Sequence, residues 1–94
     1  MNDLNILREQ IDSIDAQIVK LLCERFGVVK NVAEYKKEHG LEVLQKNREA
    51  EVLKNIADKI DNTEISLIKE NQAYKKYILE IYENILKTSK SSQY

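Results

Sequence analysis

A chain of 94 residues, 43% hydrophobic and 33% charged, has the make-up of one small helix-rich domain, near the size at which a single core is marginal. With no proline and only Gly27 and Gly40 as glycines, it lacks the turn residues of an all-β architecture, and a net charge of −1 gives no electrostatic reason to bind nucleic acid or a membrane surface. Cys23 stands alone, which excludes an internal disulfide, and no apolar run resembles a secretory leader or a membrane span, so the cytoplasm is the expected compartment.

The first helix is predicted from Asn2 or Asp3, either of which can cap it, to His39, with Gly40 as the stop. Leu4, Leu7, Ile11, Ile14, Ile18, Leu21, Val28, Val32 and Tyr35 form one apolar stripe that stays in phase along its length. Such a rod is about 55 Å long, more than a compact chain of this size needs. The remainder is too short to cover the stripe, so dimerisation through this helix is expected. Cys23, beside the stripe, reads as core packing, and His39, at the helix end, as a cap.

Residues 40–47 (GLEVLQKN) break the period and read as a loop. A second helix is predicted over 46–60, with Val52, Leu53, Ile56 and Ile60 on one side. Asp61, Asn62 and Thr63 form a turn cluster, with Glu64 placed for a capping box on Asp61. A third helix is predicted over 64–92, with Leu67, Tyr74, Ile78, Ile81 and Ile85 inward. The expectation is an all-α single domain spanning 1–94, with three helices per protomer in an intertwined dimer and no residues left for a regulatory domain.

Several polar residues interrupt these faces. Arg25 occupies the stripe position between Leu21 and Val28, where a guanidinium is costly unless an anion meets it. Lys36 lies eleven positions on and returns to within about 20° of the same face, about 16 Å along the rod. Two long side chains converging from those points can grip one small molecule. Arg8 is rotated by about 100° from Arg25 and lies too far along the rod to join it; if it serves a ligand, it serves the site of another subunit. Arg48 and Glu49 open the second helix. The carboxylate suits that terminus and the guanidinium opposes it. Ser89 and Gln93, four apart, continue the apolar face of the third helix. Each has a plainer reading: a solvated charge for Arg8, Lys36 and Arg48, a fraying polar end for Ser89 and Gln93, and a buried ion pair or a snorkelling stem for Arg25.

Taken together, LREQIDSIDAQIVKLLCERFGVVKNVAEYK, then REAEVL, then SKSSQ, in that order and at those intervals, resemble the all-helical class of chorismate mutases over nearly the whole chain. The resemblance implies a homodimer of three-helix protomers that rearranges chorismate to prephenate, at the branch towards phenylalanine and tyrosine, with neither metal nor cofactor. Carried onto this chain, it implies that Arg25 binds one substrate carboxylate and that Arg8 reaches the other from the partner subunit. Lys36 and Gln93 flank the ether oxygen of the breaking bond. Glu49 accepts from the ring hydroxyl, Arg48 supports the pocket beside it, and Ser89 helps to hold a carboxylate. Two departures stand out: Gln45 replaces an aspartate frequent in the family, and the interval from Glu49 to Ser89 is longer than in the shorter members, with the surplus expected around 61–76.

These residue types suit that chemistry. A sigmatropic shift needs no nucleophile or general base, and the chain offers no Ser-His-Asp or Cys-His set. It needs a dianion held in its folded conformation, and donors waiting where charge develops on the ether oxygen. Two other readings share these residues. An isochorismate-pyruvate lyase would use the same basic pocket. A non-catalytic helical module would use the stripe as a coiled coil and would pair Arg25 with a protein carboxylate.

Overall fold

The computed structural model describes residues 3–44 and 47–94. They form α1 (Asp3–Glu38), α2 (Arg48–Asp61), α3 (Ser66–Glu70) and α4 (Ala73–Ser91), with no strand among the described residues. The candidate cap Asn2, the predicted helix start at Lys46 and the departure at Gln45 fall outside them. No described helix is long and apolar enough to cross a membrane.

α1 ends where the glycine requires it to. Gly40 adopts φ 64°, a left-handed conformation that costs a side chain but not glycine. There its amide reaches the Lys37 carbonyl at 3.4 Å, and the Leu41 amide reaches that of Lys36 at 2.7 Å. That pair of bonds is a Schellman cap, and it turns the chain back across the helix end. His39 adds to it, stacking on Tyr35 at 4.0 Å and donating from Nδ1 to the Tyr35 carbonyl at 2.9 Å. A Cβ on Gly40 would meet no atom within 4 Å, so only the backbone strain opposes a substitution. Gly40→Ala is therefore expected to lower stability by about 1–2 kcal/mol, read as a shift in urea midpoint at fixed protein concentration.

α2 packs on α4, as does α3. Val52, Leu53 and Ile56 are half-buried and Ile60 is buried, as the period predicts. The third helix differs from expectation, being broken into α3 and α4 within the region where surplus length is expected. Asn71 is extended (φ −147°, ψ 107°), and its Oδ1 accepts from the Ala73 amide at 2.9 Å. An Asn side chain that satisfies a free first-turn amide starts a new helix in place of continuing the old one. The predicted capping box is also absent: Asp61 ends α2 and accepts from Lys75 at 2.7 Å, while Glu64 pairs with Lys69 at 2.8 Å.

The core within one chain is slight. Ile60, Ile68 and Leu86 are the buried hydrophobic residues among those described, and α1 has no buried residue. The chain measures 58 × 26 × 18 Å with a radius of gyration of 16.8 Å, where a compact domain of this length has about 13 Å. Two faces of α1 explain this. Leu22, Arg25, Val29, Ala33 and Lys36 are half-buried, and Arg25 and Lys36 bond to residues of α4 and the segment after it. The apolar stripe lies one step around the helix and stays open, from 43% exposed at Val32 to 62% at Val28. Leu67, Tyr74 and Ile81, predicted inward, are exposed as well, and so is Cys23, contrary to its expected core role. One chain has too few elements to cover those surfaces.

Candidate active site

The half-buried face of α1, the first turn of α2 and the C-terminal end of α4 enclose a cleft of about 310 Å³. Arg25, Lys36, Arg48, Glu49, Ser89 and Gln93 all line it. Six of the seven sequence-predicted site residues thus meet in one place, from segments far apart in the chain. Apolar walls come from Val28, Val29, Val32, Val52 and Leu86. Arg8 is exposed on the N-terminal half of α1, seventeen helical steps and about 25 Å from Arg25; it does not line this cleft.

At one end, Arg25 donates through Nη1 to Ser89 Oγ. Ser89 is only 6% exposed, so it is no fraying terminus. Its hydroxyl proton goes to the Ile85 carbonyl at 2.7 Å, which leaves its lone pairs to receive the guanidinium. The sequence predicts an anion as the partner of an arginine on this face. Here a neutral hydroxyl orients Arg25 without neutralising it, and no described carboxylate forms an ion pair with it.

At the other end, Lys36 Nζ donates to the Val43 carbonyl at 2.7 Å and to Gln93 Oε1 at 2.9 Å. The Gly40 cap is what returns Val43 to Lys36, so the glycine stop and the ammonium's position are linked. An ammonium has three donors, so one remains after these two bonds. With Oε1 turned to Lys36, the Gln93 amide has its NH₂ left to donate. The two groups therefore form a matched pair of unspent donors.

Arg48 lies at the cleft edge and pairs with Glu51 one turn on, both side chains 61% exposed. That pairing offsets its conflict with the helix terminus. Glu49, in the first turn of α2, faces Lys90 Nζ at 3.8 Å. Two contributors are absent from the sequence-based reading: Lys90, which lines the cleft beside Ser89, and the Val43 carbonyl. Lys90 carries a signal in its position, next to Ser89 and three before Gln93; a main-chain carbonyl carries none.

Among the described residues the balance is four cations (Arg25, Lys36, Arg48, Lys90) to one carboxylate (Glu49), in a chain whose net charge is −1. Such local excess draws and holds an anion. The apolar walls between the charges suit a small ring or chain bearing separated anionic groups.

Residues 7–94 match the family described as chorismate mutase type II. A chorismate mutase of Methanocaldococcus jannaschii is 32% identical over 87 residues, covering 93% of this chain and 80% of that protein. A bifunctional chorismate mutase/prephenate dehydratase of Buchnera aphidicola is 32% identical over 92 residues, 98% of this chain. A T-protein of Haemophilus influenzae is 29% identical over 84 residues, 89% of this chain. The chain spans 22% of the length of each of the last two relatives. No solved structure matches it.

Proposed function

This chain belongs to the chorismate mutase type II family, and we propose on that premise that it converts chorismate to prephenate by an intramolecular Claisen rearrangement, as a single catalytic domain and without a cofactor. The observation that carries the reading is the pairing of Lys36 with Gln93 at 2.9 Å across the cleft from Arg25 and Ser89. One end offers an unneutralised guanidinium for a carboxylate, and the other offers two donors for an oxygen that gains charge.

The reaction breaks the ether C–O bond as a C–C bond forms, with no proton transferred and no group lost. Arg25 holds one carboxylate of the dianion and so fixes the folded conformer in which the two reacting carbons meet. Ser89 keeps the guanidinium in place before substrate arrives, and by turning its one proton away from the Ile85 carbonyl it donates to the carboxylate afterwards. Lys36 and Gln93 donate to the ether oxygen, and these bonds strengthen as its charge grows, which selects the transition state over the substrate. Glu49 accepts from the ring hydroxyl, with Arg48 supporting that edge of the cleft.

The second carboxylate needs a further cation, and the partner's Arg8 supplies it. A homodimer through α1 is favoured by its open stripe, in which Leu4, Leu7, Ile11 and Ile14 are 52–56% exposed; a continuous apolar face of this kind marks an interface. The two protomers intertwine along α1, so each N-terminal half reaches the other's cleft.

Chorismate incubated with the purified protein is expected to yield prephenate, identified by chromatography, and Arg25→Ala is expected to abolish the conversion. Intact chorismate, together with pyruvate released from isochorismate, would replace this reading with the lyase.

A further inference from the structure

We propose that Lys90 is a positioning residue for Glu49, an inference that rests on the proposed mutase reaction. Lys90 stands in the last turn of α4, its side chain 41% exposed, and its ammonium lies 3.8 Å from Glu49 Oε1 in the first turn of α2. Among the described residues this is the ion pair that joins two walls of the cleft; the others join Arg48 to Glu51, Lys69 to Glu64 and Lys75 to Asp61.

Glu49 has a difficult task. Among the described residues it is the one carboxylate lining a cleft otherwise built to receive a dianion, and a bare carboxylate there repels the ligand whose hydroxyl it must bind. Arg48, its neighbour in sequence, is engaged with Glu51. Arg25 is turned to Ser89, and Lys36 to Val43 and Gln93. Among the described residues, Lys90 is the cation left to offset Glu49. It turns a repelling charge into a local dipole whose oxygens still accept a hydrogen bond, and it holds the carboxylate between α2 and α4. The plainer role, a surface lysine in a weak ion pair at a helix C-terminus, leaves substrate binding untouched.

Steady-state kinetics with chorismate on the full chain separate the two. Lys90→Met is expected to raise KM about three- to fivefold, the size expected of an ion pair half open to solvent, while kcat stays within about twofold, the mark of lost ground-state binding. Lys90→Arg, which keeps the charge, is expected to restore most of the KM. In a Glu49→Gln background Lys90→Met is expected to add no further rise, because the charge it offsets is gone. An unchanged KM in Lys90→Met, or an equal rise with and without the Glu49 carboxylate, overturns the role of Lys90 while leaving the mutase reading intact. A wild-type protein that leaves chorismate unconverted overturns both.

Discussion

Arg8→Ala and Arg25→Ala proteins, each inactive alone, are expected to regain about a quarter of wild-type activity when unfolded and refolded together in equal amounts, the fraction set by a two-fold symmetric dimer. Half of the resulting dimers are mixed. In each mixed dimer, one site takes its intact Arg25 from one subunit and its intact Arg8 from the other, whereas the second site has lost both. The prediction follows from a distance. Arg8 and Arg25 sit on one continuous helix about 25 Å apart, and no side chain bridges that gap within a chain. A site that needs both must be shared.

Because the two substitutions leave chains of equal mass, native mass spectrometry with one variant labelled with 15N would confirm that mixed dimers are present. Mixed dimers without activity would defeat the sharing model, and the second carboxylate would then need a cation from within the same cleft. Arg25→Lys belongs in the same series. It keeps the charge but removes the planar fork, and a point charge neither grips a carboxylate with two parallel bonds nor keeps the same bond to Ser89. Its activity is expected to stay near that of Arg25→Ala.

The elements that carry the site were legible in the sequence because they obey local rules. Gly40 stops α1 because a left-handed residue is needed there, and the spacing of Val52, Leu53, Ile56 and Ile60 gives the packed side of α2. The spacing from Arg25 to Lys36 places both on one face, and the structure brings six of the seven candidate residues into one cleft. What the sequence hid was of two kinds. Asn71 breaks the last helix without disturbing the apolar period on either side of it, so Leu67 and Tyr74 read as one face although an extended residue separates them. The period shows that the stripe of α1 is apolar, but period alone does not say what covers a face. Within one chain its neighbour, the face of Arg25 and Lys36, is the one that meets α4. Lys90 escaped for a different reason: a lysine in the last turn of a helix already has an ordinary explanation, and only the cleft gives it another.

The ether-oxygen end of the cleft carries the second large prediction. Lys36→Ala is expected to lower kcat by about 10²–10³, or about 3–4 kcal/mol, the usual cost of one donor to a developing oxyanion. It removes the Gln93 anchor as well, since Gln93 Oε1 is held by Lys36 at 2.9 Å. Gln93→Glu distinguishes donation from simple packing, because the two side chains have nearly the same shape. An amide donates at any pH, but a carboxyl donates only when protonated. Near neutral pH the variant places an anion against an oxygen that is itself gaining negative charge, so kcat is expected to fall as far as in Lys36→Ala. The sign of the pH dependence follows. The active form of the variant is the acid, so its kcat should rise as pH falls towards the ordinary carboxyl range near ~4.3. The neighbouring ammonium favours the carboxylate and pushes that recovery lower still. Wild-type protein, with no titrating group at position 93, should lack that acidic limb. A Gln93→Glu profile parallel to the wild-type one, with a similar kcat, would mean that Gln93 packs against the substrate without donating to it, and Lys36 would then carry the developing charge alone.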